Sequence, residues 1–336
     1  MLLQFLASFV VGALVLFPCN SAISFDPAVC FAYPTDANPR RIVGRAAEPD
    51  SRPWIVLVWI TCEGDEFESL RTCEGALIRK QWVLTAANCF SCGSAVSVVV
   101  DVGLHNSDIR AEIRYNRSVE RVGADGIFIP PDFEHQSMKG DIALLHLNRQ
   151  VKNATRAVSL VDCSRGHVEQ SKVGRVGVSS GWGKIPSKAR LDPKPLQDAY
   201  VAVWSSNECE QMLGGDEGGM LCAGSMKSVA ANVSWDEGLR DHSQPVDDPC
   251  FVEWGSPLVL SEPNLVDHES GAGLVCEWKL LGVLSSGLHC SSDELEEVPG
   301  FYTSVCKYHG WIEDTIKKEN GEYYRIRCAC ELLLCQ

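Results

Sequence analysis

The candidate residues for nucleophilic catalysis are Asp141, Ser256, His105, His135 and His146. A serine nucleophile needs a nearby base to take its proton and a carboxylate to orient that base. The three histidines lie in loop-like stretches or at the end of a strand-like run, so we interpret them as structural or surface residues. No pair of candidate ligands has the spacing of a motif such as H-E-x-x-H. The sequence therefore predicts neither a metal site nor a cofactor.

The elements that must position these residues read as short strands. Runs of apolar and β-branched residues are separated by Gly, Pro, Asn and Asp, which is typical of an all-β barrel or sandwich. Examples are WIVLVWI (54–60), AVSVVVDVGL (95–104), DIALLHL (141–147) and LLGVLSS (280–286). One late helix is predicted from Tyr308, because Trp311, Ile312 and Ile316 recur on one side of it.

The charge of the chain excludes several classes of partner. The formal net charge is −14 and is not concentrated in one tail. A field of this sign repels nucleic acids, heparin-like polymers and anionic membranes. Charged partners of this protein are therefore expected to be basic.

The N-terminus and the cysteines predict secretion. Residues 1–22 form a short apolar run that ends in small residues, which is the pattern of a cleaved signal peptide, and no further membrane span is predicted. Sixteen cysteines indicate a disulfide framework, and loss of Cys19 with the signal leaves an odd number. The remaining thiol is either free or bonded to another chain, as in a disulfide-linked dimer. Glycosylation sequons occur at Asn116, Asn153 and Asn232.

Six segments, in order, resemble the trypsin/chymotrypsin (S1) family of serine proteases. They are RIVGRAAEPDSRPWIVLV, CEGALIRKQWVLTAANC, GDIALLHL, SGWGK, the run from GVLSSG through PGFYTSV to WI, and CFVEWGSPLV at 250–259. The resemblance implies an all-β fold of two packed six-stranded antiparallel β-barrels with a C-terminal helix and the active site between the barrels. It predicts a lead-in segment at 23–41, an S1 domain at 42–318 and a Cys-rich tail at 319–336.

The catalytic positions depart from the family pattern. The carboxylate is present as Asp141, but the histidine of T-A-A-H-C is Asn88, and the serine of G-D-S-G-G is Trp254. A carboxamide has no basic lone pair at neutral pH, and an indole has no nucleophilic atom and a large ring expected to fill the cleft. The oxyanion-hole glycine is Val252, whose β-branched side chain resists the backbone geometry that glycine allows.

The resemblance also implies an activation switch and a specificity pocket. Cleavage after Arg41 would free Ile42, whose ammonium would pair with Glu253, which is one methylene longer than the family's aspartate. The positions of the specificity pocket are Asp248, Gly287 and Gly300. An acid at the base of such a pocket would accept a Lys or Arg side chain.

Four disulfides are implied by registration on the family: Cys73–Cys89, Cys209–Cys222, Cys250–Cys290 and Cys30–Cys163. The other cysteines of the mature chain have no implied partner, although Cys62 and Cys92 both flank the segment that contains Asn88. These other cysteines are Cys62, Cys92, Cys276, Cys306, Cys328, Cys330 and Cys335.

From Asn88, Trp254 and Val252 we predict that the chain is not an enzyme. The predicted function is a secreted serine protease homologue that binds extracellular proteins, such as a protease or its substrate, as a cofactor, decoy or regulator of a protease cascade. Two alternatives stay open. One is a serine-type endopeptidase of trypsin-like specificity with residual or altered activity, and the other is a structural or storage glycoprotein with no saturable partner.

Overall fold

The computed structural model describes the chain from residue 45 to residue 333, with internal gaps. The described residues are 45–63, 69–92, 94–108, 112, 119–152, 157–164, 172–183, 195–213, 219–224, 254–268, 271–286 and 299–333. They form fourteen strands and two α-helices, with a 3-10 helix at Ala87–Phe90.

The first barrel is built from the apolar runs of the N-terminal half. After a short strand β1 (Arg45–Ala46), six strands close into a ring in the order β2-β3-β4-β7-β6-β5, and all six pairings are antiparallel. Their bounds are β2 Ile55–Glu63, β3 Ser69–Arg79, β4 Trp82–Thr85, β5 Ser94–Val102, β6 Glu120–Phe128 and β7 Ala143–Leu147.

The second barrel is built from the C-terminal half. Its ring has the order β10-β11-β14-β13-β12-β9 and closes through the pairing of β9 with β10. The bounds are β9 Val176–Gly181, β10 Gln197–Val203, β11 Met220–Gly224, β12 Pro257–His268, β13 Gly271–Ser286 and β14 Gly300–Ser304. The crossing segment between the barrels contributes β8 (Ser159–Leu160), which pairs in parallel with β13, and β1 pairs with β10.

The fold predicted from the sequence is confirmed: two closed six-stranded antiparallel barrels are followed by a C-terminal helix. One continuous apolar cluster includes Leu84 and Leu144 of the first barrel and Val259 and Val283 of the second. All four side chains are at most 1% exposed. The two barrels therefore bury apolar surface against each other, which is the dominant favourable term in holding such layers together.

The C-terminal helix is longer than predicted. Helix α2 spans Val305–Leu333 and so includes most of the segment assigned to the Cys-rich tail, whereas the shorter α1 spans Ser206–Leu213. Tyr308, Ile312 and Ile316 are buried at four-residue spacing, which places them on one face of α2. In the part of the chain that the structure describes, no helix combines the length and apolarity needed to cross a membrane.

Four disulfides join described cysteines. Two of the pairs implied by the family resemblance are formed, Cys73–Cys89 and Cys209–Cys222. The flanking cysteines Cys62 and Cys92 are also bonded to each other.

The predicted Cys30–Cys163 bond is wrong, because Cys163 is bonded to Cys306 with a Cα–Cα distance of 5.3 Å. The strand β8 ends just before Cys163, and Cys306 lies in the first turn of α2. Because β8 pairs with β13, and β13 with β14, which runs directly into α2, the sheet brings these two cysteines together.

Several predicted features lie outside the described residues. They are the signal peptide and lead-in segment, Arg41, Ile42, Val252, Glu253, Asp248, Gly287, the Cys250–Cys290 pair and the sequons at Asn116, Asn153 and Asn232. These remain predictions from the sequence.

Candidate functional site at the junction of the barrels

The carboxylate of Asp141 lies between the two barrels and is fully buried. Its Oδ1 accepts the backbone N–H of Asn88 at 2.7 Å, and its Oδ2 accepts the hydroxyl of Ser285 on β13 at 2.6 Å. The Thr303 hydroxyl on β14 donates to the backbone carbonyl of Asp141 at 2.8 Å. Asp141 lies just before β7 of the first barrel, whereas Ser285 and Thr303 belong to the second barrel. Donors from the second barrel therefore help to hold a residue of the first.

The environment of Asp141 acts on its proton affinity in two opposing ways. Burial raises the pKa of this carboxyl, because the charged form loses water. Hydrogen bonds from Ser285 and from the backbone of Asn88 and Ala87 lower the pKa in part, and the net shift is upward. His135, an exposed loop residue, also acts to lower it by charge.

Asn88 lies in the 3-10 helix and is 2% exposed. It bonds to Asp141 through its backbone N–H, while its carboxamide oxygen is buried without a hydrogen-bond partner. The next residue, Cys89, is tied to Cys73 on β3. The position of Asn88 is therefore fixed by a disulfide on one side and by the Asp141 carboxylate on the other.

Trp254 is 42% exposed, so its ring does not fill the cleft as the sequence suggested. The peptide group that follows it is held at both of its polar atoms. The Trp254 carbonyl accepts the N–H of Glu74 at 2.9 Å, and the Gly255 N–H donates to the carbonyl of Leu284 at 2.9 Å. Gly255 has φ of +88°, a region that side chains with a Cβ rarely adopt. The indole is thus an exposed apolar group next to a hydrogen-bonded peptide group.

Ser256 is fully buried, and its hydroxyl donates a hydrogen bond to Oε2 of Glu74. Glu74 was not among the candidate residues chosen from the sequence. A signal for it was present in the sequence. The family motifs C-G-G and G-D-S-G-G-P have glycine at the positions of Glu74 and Ser256, respectively. Two polar side chains at two glycine positions point to a compensating contact, but the sequence does not show that the positions touch.

The other candidate residues lie apart from this arrangement. The ring of His146 bonds to Asp125 at 2.6 Å and packs on Trp82, and the His105 carbonyl accepts the indole N–H of Trp182. Gly300 begins β14 and is buried, and a Cβ built there would lie 2.9 Å from the Tyr302 ring.

Among the described residues, no group of three or more His, Cys, Asp or Glu side chains could hold a metal ion. What the arrangement offers instead is a buried carboxylate, an unpaired amide oxygen and an exposed indole. Asn88 and Trp254 supply neither a base for neutral pH nor a nucleophile.

Comparison with known proteins identifies the class of this scaffold. A family model described as Trypsin matches residues 41–238. Similar proteins include a protein named Trypsin from Sus scrofa, 27% identical over 285 residues, which covers 84% of this chain and 99% of the relative. Another is Serine protease 1 from Rattus norvegicus, 28% identical over 245 residues, covering 73% of this chain and 80% of the relative. Granzyme B from Rattus norvegicus is 28% identical over 280 residues, covering 82% and 91%.

These matches contradict the prediction that the chain is not an enzyme. The matched proteins bear the names of proteases, so the family points to an enzyme. The sequence identities are low, 27% for the Sus scrofa Trypsin and 28% for Serine protease 1. The prediction rested on residue types at Asn88, Trp254 and Val252, and nothing in the described residues demonstrates a lack of activity.

Proposed function

Because the chain belongs to the trypsin family, we propose that it is a secreted protein that binds a basic segment of an extracellular protein at the face carrying Trp254. Through this binding it would act on an extracellular protease cascade, with a protease or a protease substrate as the partner. The observation that carries the proposal is an indole that is 42% exposed at the junction of the barrels, next to a peptide group that is hydrogen-bonded to Glu74 and Leu284.

An exposed tryptophan beside a hydrogen-bonded peptide group suits protein binding for two reasons. Tryptophan is among the residues that contribute most to binding energy at protein interfaces. A backbone already held by Glu74 and Leu284 loses little conformational freedom on binding, so less of the interaction energy is spent on ordering the site.

The charge of the protein supports a basic partner. The net charge of −14 favours approach of segments rich in Lys and Arg. Asp248, which lies outside the described residues, is the acid that the family resemblance assigns to the base of a specificity pocket, and it would act in the same direction.

Secretion is supported by the apolar N-terminal run at residues 1–22 and by the disulfides. The four bonds among described cysteines are of the kind that form and persist in oxidising compartments.

The binding proposal is tested with two short fluorescein-labelled peptides that differ only in a central Lys-Arg or Glu-Glu pair. Fluorescence anisotropy is expected to show saturable binding of the basic peptide and weaker binding of the acidic one. Trp254→Ala is expected to weaken binding by about 30-fold, the size of a typical interface hot spot. Met212→Ala is the matched control, because Met212 is also an exposed apolar side chain, at 48%, but lies on α1. Equal affinities for wild type and Trp254→Ala would refute the proposal.

The family match favours a second candidate function, hydrolysis of peptide bonds. Its groups would be Asp141 and Ser256, and because Ser256 is fully buried, the loop at 254–256 would have to open. Release of a fluorophore from arginine amide and ester substrates is the direct assay. Hydrolysis that co-purifies with the protein and disappears in Asp141→Asn or Ser256→Ala would support this candidate, and covalent labelling of Ser256 by a fluorophosphonate would identify the nucleophile.

A further inference from the structure

Glu74 contacts three consecutive residues of the segment 254–256. Its backbone N–H donates to the carbonyl of Trp254 at 2.9 Å, and its side chain accepts the hydroxyl of Ser256. A Cβ built on Gly255 would lie 2.0 Å from the carbonyl oxygen of Glu74, so the two backbones are in direct contact. That carbonyl also accepts the Thr85 hydroxyl at 2.6 Å, which holds it in place.

The second carboxylate oxygen of Glu74 binds the other barrel as well. Oε1 accepts the backbone N–H of Trp182, just after β9, and a Cβ on Gly181 would overlap the carboxylate. Glu74 is on β3 of the first barrel and is fully buried, whereas Trp182 and Ser256 belong to the second barrel. Since a buried carboxylate needs hydrogen-bond donors, loss of either donor should destabilise the folded state.

From these contacts we infer that Glu74 is a positioning residue that sets where Trp254 lies relative to the rest of the site. Glu74 follows Cys73, which is bonded to Cys89 next to Asn88. One residue therefore ties the segment of Trp254 to the segment of Asn88. The inference rests on the proposed function in one respect only, namely that Trp254 is the residue that contacts the partner.

A matched pair of contacts separates this role from a general contribution to stability. Ser180 donates its hydroxyl to Oδ1 of Asp198 at 2.6 Å, and both residues are almost fully buried. This is also a serine–carboxylate hydrogen bond, but it lies between β9 and β10 and involves no atom of residues 254–256. Ser180→Ala is therefore the control for Ser256→Ala.

The experiment uses the full chain labelled with 5-fluorotryptophan and read by fluorine NMR. The sequence has nine tryptophans, and the resonance of Trp254 is assigned as the one missing in Trp254→Phe. The double variant Glu74→Gly with Ser256→Gly removes both partners of the Glu74–Ser256 hydrogen bond, so neither side chain is left buried without the other. We expect it to shift or split the Trp254 resonance, with a smaller shift in Ser256→Ala and none in Ser180→Ala. If the double variant does not fold, Ser256→Ala alone gives the comparison with Ser180→Ala.

The outcomes are distinguishable from those of the binding test, because no ligand is present. An unchanged Trp254 resonance in the Glu74 and Ser256 variants overturns the positioning role whatever the peptides do. An equal shift in Ser180→Ala also overturns it, because the effect would then be general. A shift specific to Glu74 and Ser256 supports the role even if no peptide binds to the wild type, a result that would refute the proposed function alone.

Discussion

Replacing Gly255 with alanine should disrupt the site through the backbone. The residue has φ of +88°, and a Cβ there would lie 2.0 Å from the carbonyl oxygen of Glu74 and 2.3 Å from the hydroxyl oxygen of Thr85. A left-handed conformation costs a residue with a Cβ about 1–2 kcal/mol. Inserting an atom into a packed interior adds about 1–3 kcal/mol. The two terms together predict a loss of about 2–5 kcal/mol in the free energy of unfolding.

The same substitution at Gly310 is the control. Gly310 is an exposed residue in the interior of α2, and a Cβ there meets no atom within 4 Å. Because glycine is less favourable than alanine inside a helix, Gly310→Ala should raise the free energy of unfolding by about 0.5–1 kcal/mol. The same glycine-to-alanine change is thus expected to lower the free energy of unfolding at position 255 and to raise it at position 310.

Urea unfolding measured by circular dichroism is the assay for both variants. Gly255→Ala should lower the urea midpoint by about 1 M or more, and Gly310→Ala should raise it slightly. Gly255→Ala should also weaken binding of the basic peptide, because the neighbouring Trp254 must move. A Gly255→Ala protein with wild-type midpoint and wild-type peptide affinity would refute the geometric reasoning about this loop.

Three further predictions concern stability. Burial raises the pKa of Asp141 above its ordinary value of 3.8, so the stability that this group contributes falls as the pH rises from 3.8 through the folded-state pKa. Asp141→Asn should therefore become more stable relative to wild type as the pH rises from acid to neutral. Urea unfolding at several pH values measures this, and the reverse trend would contradict it. Peptide mapping without reduction should recover Cys163 linked to Cys306, and serine at both positions should cost about 2–4 kcal/mol; a Cys30–Cys163 peptide would count against the structure. Arg52→Met should cost about 3–5 kcal/mol, because it leaves the carboxylate of Asp198 buried without its ion-pair partner at 2.8 Å. Unfolding midpoints test this, and a neutral effect would contradict it.

The prediction about catalysis shows where reasoning from residue types stops. Asn88 and Trp254 are poor replacements for a base and a nucleophile, and this follows from their side-chain chemistry alone. Membership of the trypsin family nevertheless points to an enzyme. A direct assay of hydrolysis decides between these two expectations.

The strands of this protein could be predicted from local sequence, and its two-barrel architecture from the resemblance to the trypsin/chymotrypsin family. Short apolar runs between turn residues predicted the strands, and motifs in the expected order predicted two barrels and a terminal helix, both of which are present. The Cys73–Cys89 bond was implied by the family resemblance and is also present.

Contacts between distant segments were decided by the tertiary structure. Glu74 and Ser256 are 182 residues apart, and Cys163 and Cys306 are 143 residues apart. Neither pair can be derived from spacing, because each depends on how strands of different segments are paired and how the two barrels pack. The exposure of Trp254 has the same origin. The sequence placed a large ring in the loop, and only the folded structure shows that the ring is 42% exposed.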